Sequence, residues 1–98
     1  MYVNVIKSYR TVIAVADSEL LGKEFQQGEK KLTIKESFYK GEKKDQEETI
    51  NEMIFWRKED ATFNIVGEKS ITAALKAGII TKDSIGKIEG IKFALVLI

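Results

Sequence analysis

The organisation of the chain follows from one stretch, Thr62-Phe63-Asn64-Ile65-Val66-Gly67-Glu68-Lys69-Ser70-Ile71-Thr72-Ala73-Ala74-Leu75-Lys76-Ala77-Gly78. Residues 63–66 are apolar and partly β-branched, which favours a short buried strand. Gly67 allows a sharp turn, and Gly78 is the residue expected just past a helix end. Between them, small and apolar residues recur at helical spacing, at Ile71, Ala74, Leu75 and Gly78. The stretch therefore predicts a strand, a tight turn and a helix.

Strands are predicted on both sides of this unit. Residues 2–7 alternate in polarity and residues 11–16 are small and β-branched, so together they predict a hairpin. Residues 31–35 predict a third strand, and residues 85–88 and 91–98 predict a closing hairpin around Glu89-Gly90. The last strand is apolar on both faces beyond Lys92. It is either an interior strand or an edge used by a partner chain.

Two further helices complete the prediction. Asp17 or Ser18 is expected to cap a short helix that ends at Gly28. Its apolar side is expected to hold Leu20, Leu21 and Phe25. Asp45 and Glu48 have the spacing of a capping box and begin the longest helix. Its inner stripe is expected at Ile50, Met53 and Ile54. The order ββαβαβαββ predicts a single α+β domain over residues 1–98, with one mixed sheet of five to six strands and three helices.

Composition excludes several chemistries. The 98 residues include no Cys and no His, so disulfides, thiolate nucleophiles, cysteine zinc sites and a histidine base are all excluded. The net charge of +1 points to no polyanionic partner by itself. No run is long or apolar enough to span a membrane, and the first residues do not resemble a signal peptide. We expect a cytoplasmic protein without metal or cofactor.

Four motifs carry a family resemblance. In order they are Glu19-Leu20-Leu21-Gly22-Lys23, Phe38-Tyr39-Lys40-Gly41-Glu42, Asn64-Ile65-Val66-Gly67-Glu68-Lys69-Ser70 and Ile88-Glu89-Gly90-Ile91. As an ordered set, they resemble the archaeal domain of unknown function 424 family over nearly the whole chain. The resemblance implies an archaeal cytoplasmic α+β protein of about this length, and it implies no activity.

The turn after the predicted central strand is the first candidate site. Asn64, Gly67, Glu68 and Ser70 are predicted to form a polar pocket. There the backbone amides at the helix start would hold a small anion or a nucleotide phosphate. The alternative is that Asn64 bonds to the turn backbone and Glu68 only complements the helix dipole.

A lysine-rich segment is the second candidate site. The predicted contacts to nucleic acid are Lys35, Tyr39, Lys40, Lys43, Lys44 and, from the first hairpin loop, Arg10. Lysines contact phosphates and aromatic rings stack on bases. Interspersed glutamates leave a solvated charged loop as the alternative.

No residue pattern demands catalysis. Ser70 with Lys69 or Lys23 is the remaining nucleophile arrangement, and we expect no enzyme. The leading hypothesis is a non-catalytic binding module that is associated with RNA or the ribosome. The alternatives are a protein–protein adaptor or homodimer that uses the C-terminal strand, and the small-anion binder. Phe55 and Trp56 either cover the sheet or anchor a partner.

Overall fold

A six-stranded mixed sheet forms the centre of the structure, a computed structural model that describes residues 1–97. Its strands are β1 (Tyr2–Ile6), β2 (Val12–Ala16), β5 (Glu42–Lys43), β6 (Thr62–Val66), β7 (Gly86–Ile88) and β8 (Ile91–Val96). The order across the sheet is β5-β1-β2-β6-β8-β7, and β2 and β6 are its parallel pair. A separate hairpin consists of β3 (Glu24–Gln27) and β4 (Lys30–Thr33).

Elements pack on both faces of the sheet, although Leu95 of β8 stays exposed. Helices α2 (Gln46–Lys58) and α3 (Glu68–Ala77) pack on one face, where Ile13, Phe63 and Ile65 meet Met53 and Ile71. The short helix α1 (Glu36–Tyr39) and the β3–β4 hairpin cover the other face around Ile34, Tyr39 and Val66. This confirms the α+β class, with three helices and a mixed sheet.

The predicted helix after Asp17 is wrong. Only Ser18–Leu20 forms a helical turn, of the 3-10 type, and the chain continues into β3. Phe25 is half-buried between the exposed Glu24 and Gln26, which is the alternation of a strand. Gly28 does not end a helix. It turns the β3–β4 hairpin with a φ of +62°, which glycine adopts without strain.

The lysine-rich segment, residues 35–44, was expected to be a loop, but α1 and β5 lie within it. The element order is therefore ββββαβαβαββ rather than ββαβαβαββ. The other elements agree with the prediction: the first hairpin, the capping box of α2, the β6–α3 unit and the closing hairpin all form. Within α2, Met53 is buried, whereas Ile54 faces solvent.

The predicted last strand reached Ile98, which lies outside the described residues. Among residues 1–97, no helix combines the length and apolar character that crossing a membrane requires.

Candidate functional site

A cleft of about 170 Å³ opens at the carboxyl ends of the parallel strands β2 and β6. Ligands of open α/β sheets often bind at this kind of position. Its lining residues are Asp17, Glu19, Leu20, Gly67, Glu68, Gly90, Ile91 and Lys92. Three carboxylates and one ammonium group therefore surround the opening, and Lys92 Nζ lies 3.0 Å from a carboxylate oxygen of Glu68.

Asp17 is the central polar group of this cleft. It directly follows β2 and is buried. Its Oδ2 accepts the Lys69 amide at 3.0 Å, and its Oδ1 accepts both the Ser70 amide and the Ser70 hydroxyl at 2.8 Å. A carboxylate at a helix N-terminus satisfies amides that the helix leaves free and complements the helix dipole. Asp17 thus caps α3, whereas the sequence suggested that it would cap a helix beginning at its own position.

Gly67 is required by this cap. A Cβ atom at this position would lie 2.3 Å from the carboxyl carbon of Asp17, and the backbone φ is +107°. Both the space and the backbone conformation exclude an ordinary side chain without rearrangement. The glycine that turns the chain from β6 into α3 therefore also makes room for the capping carboxylate.

The four residues predicted to hold an anion do not gather in one pocket. Gly67 and Glu68 line the cleft, but Asn64 lies three residues earlier on β6, about 10 Å along the strand, paired with Ala14 and Leu95. Ser70 is buried beneath Asp17. The amides of Lys69 and Ser70, which were expected to hold an anion, donate to Asp17 instead.

The predicted nucleic-acid residues are also separated. Tyr39 is buried, and this burial raises the pKa of its phenol above the usual 10.0, so its ring is not offered for stacking. Lys35 and Lys40 are exposed. Lys43 lies opposite Tyr2 at the start of β1, whereas Arg10 lies beyond the other end of that strand, which is about 13 Å away.

Lys44 is the least available of these lysines. Its side chain is partly buried, with its Nζ 3.4 Å from Glu42 and 4.0 Å from Glu52. Since both neighbours are carboxylates, this lysine is partly neutralised before any ligand arrives.

A different basic surface emerges where β1 turns into β2. Tyr9 is fully exposed between Lys7 and Arg10, and the Lys7 ammonium lies 5.8 Å from the centre of the Trp56 ring on α2. Arg57 and Lys58 follow Trp56 and are exposed. We call Lys7, Tyr9, Arg10, Arg57 and Lys58 the basic end. The sequence showed Tyr9 and Arg10 at a loop, but not that the end of α2 lies beside them.

Phe55 and Trp56 differ in environment. The Phe55 side chain is 53% exposed, whereas Trp56 packs against the core and stacks edge-on with Phe55 at 5.0 Å between ring centres. The indole N–H of Trp56 is buried without an acceptor among the described residues. Trp56 is therefore mainly a packing residue, and Phe55 is the exposed member of the pair.

The part of the chain that the structure describes offers neither a cluster of metal ligands nor an accessible Ser70 hydroxyl. Within residues 1–97, no three carboxylates cluster in a way that would hold a metal ion. The Ser70 hydroxyl is fully buried and donates to Asp17, so it is not presented to a substrate.

Comparison with known proteins places the chain in an uncharacterised group. Residues 6–98 match the model of the family described as "Protein of unknown function (DUF424)". The fold is similar to the crystal structure of an uncharacterized conserved protein from Methanopyrus kandleri, with a TM-score of 0.87 and 24% sequence identity. That match covers 97% of this chain and 88% of the other. No curated protein matches.

Proposed function

The chain belongs to the DUF424 family, and we propose that it is a non-catalytic RNA-binding module that contacts RNA through the basic end. The observation that carries the proposal is the fully exposed ring of Tyr9 between Lys7 and Arg10. Proteins that bind single strands combine a stacking ring with cations that follow the phosphates. A tyrosine without any packing role in its own fold is suited to such stacking.

The neighbouring elements enlarge the surface. The Thr62 amide donates to the Thr11 carbonyl at 3.0 Å, which joins the β1–β2 loop to the segment that follows α2. Arg57 and Lys58 directly follow Trp56, and the Lys7 ammonium lies 5.8 Å from the centre of the Trp56 ring, so the last turn of α2 lies beside the loop. Glu59 and Asp60 follow Lys58, so the four cations of the basic end have two acidic residues near them in the sequence. The net excess is modest, and we expect modest affinity.

The proposal is tested by fluorescence anisotropy with single-stranded and hairpin RNA at several salt concentrations. Up to four phosphate contacts predict a log–log salt slope of about −3 for a single strand. Tyr9→Ser should weaken binding roughly 5- to 150-fold by removing one stacked base. Arg57→Ala with Lys58→Ala should make the slope shallower by about 1.4.

Two controls separate this surface from the lysine segment of the sequence prediction. Lys23→Ala with Lys30→Ala removes two exposed cations near the β3–β4 hairpin and should leave affinity nearly unchanged. Lys40→Ala with Lys43→Ala tests the segment that includes α1 and β5. Affinity that falls with this pair but not with Tyr9→Ser would refute the proposed surface, and absence of binding at low salt would refute direct RNA contact.

A further inference from the structure

Strand β8 is covered unevenly on its two edges. On one edge β6 pairs with it from Phe93 to Val96. On the other edge β7 pairs only with Ile91, Lys92 and Phe93. Beyond Phe93, this second edge has no strand beside it within residues 1–97.

The ladder shows which backbone groups point toward that open edge. The Gly67 amide donates to the Lys92 carbonyl at 2.8 Å, so Lys92 directs its polar groups toward β6. In an antiparallel ladder this direction alternates along the strand, so Ala94 and Val96 also face β6, whereas Phe93 and Leu95 face the other way. Phe93 meets Gly86 of β7. The N–H and C=O of Leu95 have no backbone partner among the described residues.

The side chains at this edge are apolar and exposed. Leu95 is 53% exposed and Leu97 is 71% exposed, and residues 93–98 include no charged residue and no proline. Open edges are usually protected by lysine, proline or a bulge, since unpaired strand groups invite another chain. The open part of β8 has none of these protections.

We propose that a second copy of this chain covers the edge, with the two β8 strands antiparallel about a two-fold axis beside Val96. In this register Leu95 lies opposite the partner's Leu97, and the symmetry repeats the contact. Continuing the alternation to Leu97 gives four backbone hydrogen bonds across the axis. Phe93 packs on the sheet face opposite α2 and α3, and side chains alternate along a strand, so Leu95 and Leu97 of both copies lie on that face.

A second copy of the chain fits this edge because two β8 strands can pair with each other through the same residues. An isologous contact requires each surface to supply both the groups that donate and those that accept. Leu95 and Leu97 do so through their own N–H and C=O groups, and each also supplies the apolar contact for the other. Pairing through β8 does not depend on RNA binding at the basic end.

Sedimentation equilibrium of the full chain tests the pairing. The wild type should form dimers, and Leu95→Lys with Leu97→Lys should yield a monomer with an unchanged circular dichroism spectrum, because both side chains are exposed in the single chain. Phe55→Lys, at a position that is also 53% exposed, should remain a dimer. A monomeric wild type, or a dimer that survives both lysines, would overturn the proposal.

Single cysteines test the register, because the chain has none of its own. Residues that face each other as a non-hydrogen-bonded pair have Cα atoms about 4.5 Å apart, which a disulfide can bridge. Val96→Cys should therefore form a cross-linked dimer on oxidation. Leu95→Cys should not, because the two copies of residue 95 would be diagonal, about 7–8 Å apart. Cross-linking at 95 instead of 96 would overturn the two-fold axis proposed here.

Discussion

Removing the Asp17 carboxylate should destabilise the protein far more than removing an ordinary helix cap. The Asp17→Ala change leaves the amides of Lys69 and Ser70 without their acceptor, and loss of a cap costs about 1 kcal/mol. It also leaves the buried Ser70 hydroxyl without its charged acceptor, which costs about 2 kcal/mol. The expected loss in unfolding free energy is thus about 3 kcal/mol.

The matched comparison is Asp45→Ala. Asp45 also caps a helix, and its carboxylate accepts the Glu48 amide at 2.8 Å, but that site is exposed. Its replacement should cost only about 1 kcal/mol. Asp17→Asn should lie between the two, because it keeps a capping oxygen but loses the charge.

Urea unfolding followed by circular dichroism measures these differences, with an unchanged slope indicating that stability alone has changed. For a domain of this size, about 3 kcal/mol corresponds to a Tm lower by roughly 12–24 °C. An Asp17→Ala variant no less stable than Asp45→Ala would contradict the role assigned to the buried carboxylate.

Three further predictions concern local packing. Gly67→Ala should lower the midpoint of urea unfolding strongly. In the Asp17→Ala background its added cost in unfolding free energy should fall to the backbone strain of about 1–3 kcal/mol, which a double-mutant cycle measures. Burial raises the pKa of Tyr39, so the unfolded chain loses this phenol proton at lower pH than the folded chain. The free energy of unfolding should therefore fall as the pH rises past about 10. Tyr39→Phe should reduce this fall in urea titrations at pH 9 to 11. Asn4→Ala removes the 2.8 Å hydrogen bond from the Asn4 side-chain amide to the Phe38 carbonyl and should lower the free energy of unfolding by about 1 kcal/mol. An unchanged urea midpoint would show that α1 does not need this hydrogen bond.

The sequence predicts well those elements whose signals are local. The β6–α3 unit has a buried run, a glycine, a helical stripe and a second glycine, and all are adjacent in the chain. The capping box of α2 needs only Asp45 and Glu48. Such patterns depend on residues within one turn or strand of each other, so no knowledge of the fold is needed.

The failures arise where distant segments decide the outcome. Asp17 is an equally good cap for a helix that begins beside it, but it reaches instead to an α3 amide 53 residues away. The position of Phe25 fits a helical stripe as well as a strand. The strand forms because the β3–β4 hairpin packs over the second face of the sheet. The lysines of residues 35–44 predicted a nucleic-acid surface, but the fold buries Tyr39 of this segment in the core.

The basic end was missed for the same reason. Arg57 and Lys58 form the basic last turn of α2, where they complement the helix dipole, so their sequence pattern needs no further role. Only the fold brings that turn beside the β1–β2 loop, where Lys7 lies over the Trp56 ring. A charge cluster assembled from a loop and a helix end leaves no continuous signal in the sequence.

The most direct test of RNA contact at the basic end is a titration of isotope-labelled protein with single-stranded RNA, followed by amide chemical shifts. If RNA binds at the basic end, the largest shifts occur at residues 7–11 and 57–60, while residues 35–44 change little. Shifts concentrated in residues 35–44, or no shifts at low salt, would contradict RNA contact at this surface.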